Sequence, residues 1–276
     1  MYEDESVVAI NKPAGLLCHP SPGFWEQGTV VHELEGRQRL PGFSPIPTEM
    51  MQARQSSTGE SDSFIPRAIV HRLDRGTTGL MLIAKTPSAE AHLTQQFKGR
   101  STRKRYVAIL SGKPRGAASA GRIPVDVALE RDPLRPGKMQ VAAARGQGKP
   151  ASSVVHVHAH DAASGLSLVT VELLTGRQHQ IRVHCQHLGA PLANDEDYCG
   201  AERLRAFRAQ HGSAFGRGRP LLHAWALQVA HPDPARAAAP LAVRAPLPPS
   251  LAALVGQAWP ELGCDPQGWR DVVLPE

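Results

Sequence analysis

Two segments near the middle of the chain restrict its fold more than any other feature. Residues 152–160, SSVVHVHAH, and 166–174, LSLVTVELL, alternate in polarity, and a short turn at Ala162-Ala163-Ser164-Gly165 separates them. A period of two sends successive side chains to opposite faces of a strand. Two such runs joined by so short a link form neighbouring antiparallel strands. Further strands are read at Val7 to Ile10, at Leu80 to Ala84 and at 104–112, KRYVAILSG. The stretch 219–232, RPLLHAWALQVAHP, reads as a strand pair or one long bent strand. Helical periodicity appears at 88–97, SAEAHLTQQF, where Leu93 and Phe97 share a face and Thr86 or Ser88 is the cap. It appears again at 178–189, QHQIRVHCQHLG, ending at Gly189, and at 248–259, PPSLAALVGQAW, with Ser250 as N-cap. Strands and helices mix without regular βαβ alternation, so the class is α+β.

The chain has 276 residues, with 41% apolar and 20% charged, enough for a sizeable core and too apolar for disorder. It reads as one domain over 1–276, with a core over about 5–250, a surface loop inserted at 41–66, and a C-terminal helix and tail at 250–276. Residues 113–122 form a Gly/Ala/Pro-rich loop. A net charge of +6 suits a polyanionic partner, nucleic acid before membrane. No apolar run approaches the roughly 20 residues that a membrane span requires. The opening MYEDESVVAI is acidic and then strand-like, unlike a signal or transit peptide. Four cysteines without dense spacing fit a reducing compartment.

Chemistry concentrates in three places. In HRLDRGTTGLMLIAK (71–85), Asp74 stands between Arg72 and Arg75, close to His71, in a turn marked by Gly76 and Gly79. Cations bias a carboxylate toward its charged, nucleophilic form, and glycines allow a sharp turn and close approach. The ordinary alternative is a salt-bridged turn aspartate of little energetic weight. In LLTGRQHQIRVHCQHLGAPLANDEDYCG (173–200), Arg177, His179 and Arg182 follow the Thr175-Gly176 turn. His179 and Arg182 are three apart and share a helix face, and an arginine there can pair with a buried carboxylate. The alternative is a solvated basic helix. In STRKRYVAILSG, cations including Lys104 precede Tyr106, a pattern suited to base stacking beside phosphate contacts. A half-buried tyrosine at a strand end is the plain alternative. His156, His158 and His160 alternate along one strand face, and His179, His184, Cys185, His187 and Cys199 cluster in sequence. Neither group has a zinc spacing, and nucleotide-binding glycine motifs are absent, so no metal and no cofactor is expected.

Taken together and in order, these segments resemble the RluA-like family of RNA pseudouridine synthases. VVAINKPAGLLCHP (7–20) resembles its lysine-proline motif, and HRLDRGTTGLMLIAK its catalytic-aspartate motif, with Thr77-Thr78-Gly79 where Thr-Ser-Gly is commoner. KRYVAILSG resembles its lysine-x-tyrosine strand, and LLHAWALQVAHP its C-terminal Leu-His-Ala strand. The 173–200 segment resembles a motif usually ending in Gly-Asp-x-x-Tyr-Gly; here Asn194-Asp195 replaces Gly-Asp and Cys199 precedes the glycine. The stretches 41–66 and 200–218 are longer or more divergent.

The resemblance implies the pseudouridine synthase fold, a central, mostly antiparallel mixed sheet with flanking helices and a cleft. It implies an isomerase that converts uridine in ribosomal or transfer RNA to pseudouridine without cofactor. By position, Asp74 becomes the nucleophile, at C1′ or on the base; Tyr106 packs on the uracil; Arg182 is the aspartate's basic partner. Arg72 fills the gap left by a flipped base. Lys12, His71, Thr77, Lys104, Arg177 and His179 are assigned to substrate and RNA contacts. The expected partner is structured RNA, with no membrane, no S4-type domain and a monomeric state. The expected location is the cytoplasm, or an organelle matrix if a targeting sequence precedes residue 1. Two other readings are a non-catalytic RNA-binding or folding module, and a carboxylate-dependent hydrolase with Glu172 or Asp195 as second carboxylate.

Overall fold

The computed structural model describes all residues except 21–26, 38–45, 53–65, 118–120, 145, 213, 264, 265 and 267–276. They divide into two compact units, Met1–Thr102 with Ala226–Ala245, and Arg103–Trp225 with Pro246–Glu276.

The first unit opens with β1 (Val7–Lys12), followed by α1 (Val30–Arg37), α2 (Thr48–Met51), β2 (Thr78–Ala84) and α3 (Pro87–Gly99). β1 and β2 pair antiparallel from Val7 opposite Ala84 to Lys12 opposite Gly79. Leu80 to Ala84 are all buried, which is why this run lacks alternation: both of its faces are covered. Thr86 is the cap of α3, accepting from the Ala89 N–H at 3.1 Å, with Pro87 in the first turn. Such a cap is worth about 1 kcal/mol. Arg100, at φ 58°, ends the helix in the left-handed conformation.

Asp4 fixes the entry to β1. One carboxylate oxygen accepts the N–H groups of Ser6 and Val7, each at 2.8 Å. The other takes the Tyr2 hydroxyl at 2.7 Å and His231 Nε2 at 2.8 Å. Burial alone would raise its pKa, but hydrogen bonds from Tyr2, Val7, Ser6 and His231 outweigh burial and hold it down at about 2.

The expectation of a plain surface loop at 41–66 fails at its centre. Ile46, Met50 and Met51 are buried around α2, and Met50 O accepts the Ala68 N–H at 2.8 Å. The Pro/Ser-rich surroundings hid a short apolar anchor. Residues 41–45 and 53–65 lie outside the described residues.

The second unit contains β3 (Arg103–Ser111), β4 (Arg122–Asp126), β5 (Leu129–Arg131), β6 (Met139–Val141), β7 (Ser152–Asp161) and β8 (Leu166–Leu173). The order β3-β8-β7-β4 is antiparallel throughout, and β5 and β6 form a separate ribbon. The β7–β8 hairpin is as expected, and Asp161 organises it by accepting from Ala163 N and Ser164 N, each at 3.0 Å. The three alternating histidines do not share a face. A bulge between Val157 and Ala159 sets His156 opposite Thr170 and His160 opposite Ser167, an odd offset that turns the two to opposite sides.

Next come α4 (Gln180–His187), α5 (Ala201–His211) and β9 (Leu222–Val229), a single strand whose first four residues belong to the second unit and last four to the first. β10 (Leu241–Arg244), not anticipated, pairs antiparallel with the latter. In α6 (Pro249–Ala258) the N-cap position is Pro248 with no side-chain cap, so Ser250 lies inside the first turn and Pro249 supplies the preset φ. The class is α+β, as expected.

Candidate active site

Asp74 sits half-buried in a turn that the 12–18 segment grips on both sides. On one side, the Cys18 thiol accepts from the Leu73 N–H and donates to the Leu73 carbonyl, both at 3.2 Å. On the other, Gly15 N–H donates to Arg75 O at 2.8 Å and Arg75 Nε donates back to Gly15 O at 3.0 Å. Gly15 has a φ of 98°, which suits glycine. The Thr77 N–H closes the turn on Asp74 O at 3.0 Å. The main chain on either side of Asp74 is therefore fixed by neighbours that hold Leu73, Asp74 O and Arg75. Arg72 is exposed.

Lys12 does a different job from the one its sequence suggests. It is 1% exposed, which leaves no surface for a phosphate. Its ammonium donates to Leu16 O (2.9 Å), Pro13 O (3.1 Å) and Arg75 O (3.3 Å), tying the two segments together under the turn. Burial pushes its pKa from 10.5 down to about 8, while its interactions with Cys18 and Asp74 pull the other way. Between those two values the unfolded chain keeps a proton that the folded chain has released, so stability rises with pH across that window, by about 3 kcal/mol in all. Below pH 8 the cost is full and constant. Denaturant midpoints of the wild type and Lys12→Met, taken at pH 7.5 and 9.5, should show the wild type gaining on the variant at the higher pH. A constant difference would mean that the ammonium keeps its ordinary affinity for a proton.

His71 and Thr77 are likewise turned inward. His71 Nε2 accepts the Leu82 N–H at 2.9 Å, so that nitrogen carries no proton, and the ring stacks on Phe97 at 4.6 Å. Thr77 is buried, and its hydroxyl has no hydrogen-bond partner among the described residues.

In the second unit, Tyr106 is buried in β3, opposite Val171. Lys104 Nζ lies over Gly176, where an added Cβ would meet it at 3.7 Å. The turn after Gly176 is built by Gln180, which the sequence reading passed over. Its side-chain oxygen accepts from Thr175 Oγ1 (2.7 Å) and the Arg177 N–H (3.0 Å), and its amide donates to Ser152 O (2.9 Å). Arg177 Nε donates to Pro150 O at 3.0 Å.

α4 begins after His179, whose φ of 53° places it outside the helix. His179 and Arg182 nonetheless converge, because both reach Tyr198. His179 Nδ1 is 2.8 Å from the Tyr198 hydroxyl, and the Arg182 guanidinium lies 4.8 Å from the ring centre. Arg182 makes a bidentate pair with Asp195, Nε to Oδ2 and Nη2 to Oδ1, both 2.7 Å, and a further bond to Asp197 at 2.6 Å. Asp197 also binds Lys138. Burial tends to raise its pKa, and the bonds from Lys138 and Arg182 more than offset this and lower it. Within this unit, then, Asp195 and Asp197 both bind Arg182, neither named for that role from sequence. Asp195 is fully buried and committed to Arg182, which removes it as a hydrolase's second carboxylate.

Asn194 accounts for one departure from the expected motif. Its φ is 60°, a conformation natural to glycine and tolerated by asparagine. Its side chain adds what glycine cannot, donating to Gly216 O (2.9 Å) and Arg219 O (3.0 Å) and accepting from Arg208 Nε (3.1 Å). The replacement thus ties Arg208 and Gly216 of the divergent 200–218 stretch, and Arg219 just after it, to position 194.

Three of the histidines considered as metal ligands lie within bonding distance of hydroxyls: His158 of Thr170 at 2.8 Å, His160 of Ser167 at 2.9 Å and His184 of Ser153 at 2.6 Å.

A family model for RNA pseudouridylate synthase matches residues 6–187. Among curated proteins, ribosomal large subunit pseudouridine synthase D of Nitrosomonas europaea is 34% identical over 256 residues, covering 92% of this chain and 63% of the relative. RNA pseudouridine synthase 2, chloroplastic, of Oryza sativa subsp. japonica is 33% identical, covering 84% and 58%. The chain thus spans about three fifths of the length of these relatives. Among solved structures, human RNA pseudouridylate synthase domain containing 1 superposes with a TM-score of 0.62 at 26% identity, over 91% of this chain and 85% of that one.

Proposed function

The chain belongs to the RNA pseudouridylate synthase family, and from that membership we propose that it isomerises uridine in RNA to pseudouridine, with Asp74 as nucleophile. The observation that carries the reading is the clamp on Leu73 and Arg75, which holds the turn bearing Asp74 in place through its main chain. The reaction breaks the N1–C1′ bond, forms C5–C1′, and moves a proton from C5 to N1, so substrate and product are isomers and no oxidant or co-reactant is called for. Asp74 attacks C1′ or adds to the base, and either route holds the detached uracil while it turns. Tyr106 is the surface on which it turns. Arg182, set by Asp195 and Asp197, supplies fixed positive charge to the site. Arg72, exposed, occupies the stack after the uridine leaves it, which offsets part of the few kcal/mol that flipping costs. Lys104, Arg177 and His179 meet the RNA backbone, consistent with the basic charge. Large-subunit ribosomal RNA is the substrate favoured by the relatives' names.

Incubation with in vitro transcribed large-subunit ribosomal RNA, followed by nucleoside analysis, tests this. Pseudouridine at defined positions is the expected result. RNA bound but unchanged would point to a non-catalytic module, and free uracil to a hydrolase.

A further inference from the structure

The tip of the β5–β6 ribbon holds an apolar side chain in open solvent. Leu134 is 88% exposed, the most exposed large apolar side chain among the described residues. It stands in RDPLRPGK (131–138), among Arg131, Arg135 and Lys138. A single exposed leucine requires no explanation by itself. The backbone beneath this one, however, is held unusually firmly. Asp132 Oδ1 accepts the N–H groups of Leu134 (2.9 Å) and Arg135 (3.2 Å), and Oδ2 takes Arg135 Nε (2.6 Å). Asp132 N donates to Lys138 O, and Lys138 N to Arg135 O, both at 3.0 Å. Pro133 and Pro136 fix two more torsions.

The tip is also fastened to the candidate site residues of its own unit. Arg135 Nη1 donates to Asp197 O at 3.0 Å, and Lys138 pairs with the Asp197 carboxylate, which also binds Arg182. The Met139 N–H donates to the Tyr198 hydroxyl at 2.9 Å, and Gln178 Nε2 to Gly137 O at 3.3 Å. Leu134 therefore rides on a stiff projection anchored beside Arg182 and beside the turn that carries Arg177. The nearby carboxylates Asp132 and Asp197 are already paired with Arg135, Lys138 and Arg182. What the tip offers a partner is one apolar wedge with a cationic rim. A stable protein partner would need a broad complementary patch. A base step needs only a wedge to enter it, with cations to meet the phosphates on either side.

We propose that Leu134 is an RNA wedge: it enters the base stack beside the uridine being converted and supports the distorted strand while that uridine is out. The proposal rests on the pseudouridine synthase reading and assigns it a residue outside the motifs that define the family resemblance. Leu134→Ala and Leu134→Ser should melt at the wild-type temperature, since the side chain buries almost nothing. On folded large-subunit ribosomal RNA their kcat/KM should fall about ten-fold, and on a short single strand around the same uridine it should stay within about two-fold, because unstacking is already cheap there. Leu134→Met, still apolar and long, should keep the wild-type rate on both. A benzophenone amino acid at 134, irradiated with the folded RNA, should give an adduct on a base. Equal loss on the two RNAs, no loss on the folded one, or no RNA adduct would overturn the wedge. Wild-type turnover together with any of these results would sink the wedge alone. An RNA adduct at 134 without wild-type turnover would instead sink the isomerase reading and leave Leu134 as an RNA contact.

Discussion

Asp74→Asn is expected to form no detectable pseudouridine, a loss on the order of 10⁴-fold or more, as for other enzymes deprived of their nucleophile. The amide is nearly the size of the carboxylate but does not attack carbon. Cys18 holds Leu73 through main-chain atoms, Gly15 and Lys12 hold Arg75 O, and Thr77 holds Asp74 O. None of these contacts uses the side chain at 74. Stability should stay within about 0.5 kcal/mol of wild type, as for a site outside the packed core, and RNA affinity should be unchanged. Release of tritium from RNA labelled at uracil C5 measures turnover, and a melting curve checks the fold. Turnover surviving in a well-folded Asp74→Asn protein would remove Asp74 from the nucleophile's role.

What could be read from sequence follows the range of the forces involved. The β7–β8 hairpin, β1, β2, β3 and the Thr86-capped α3 were legible because period, turn and cap lie within a few residues of each other. The Asp74 turn stood out as a candidate because its charges and glycines are contiguous, but the charges alone fitted a salt-bridged turn equally well, and its expected role came from the family resemblance. The fate of each polar side chain was not. Lys12 and His71 look like RNA contacts in a string of letters, yet one is caged by three carbonyls and the other accepts a backbone N–H from β2. Those partners lie up to 63 residues away, beyond any local pattern. Gln180 was hidden for a related reason: Thr175 is five residues from it, but Ser152 in β7 is 28 away, so the full set of partners exists only once the chain has folded. The bulge in β7 shows a subtler limit. Alternation is faithfully present in the letters His156, His158 and His160, but one extra residue in the ladder reverses the faces. The small β5–β6 ribbon left no periodic trace because its strands are three residues each, too short for a period of two to register.

Arg182→Ala should cost stability and turnover together. Asp195 is fully buried, and its two oxygens take Nε and Nη2 of Arg182 at 2.7 Å. Removing the guanidinium leaves a buried carboxylate without its counter-charge, a loss of about 3–5 kcal/mol. Asp197 and Lys138 would lose a neighbour as well, but they are partly solvated and add little. Because an unstable enzyme is a poor enzyme, the single variant cannot distinguish a structural arginine from one that acts on the reaction. The double variant Arg182→Met/Asp195→Leu can. Replacing both members of a buried pair by apolar residues of similar volume is often neutral, so at least half of the lost stability should return in urea denaturation. Turnover on a short single-stranded RNA should not return with it, because the fixed positive charge is still missing and no base has to be unstacked. Lysine at 182 should restore part of both, since it keeps the charge and gives up the bidentate fork. If instead the apolar pair recovers turnover along with stability, Arg182 serves only to bind Asp195 and Asp197, and the site's positive charge must come from elsewhere.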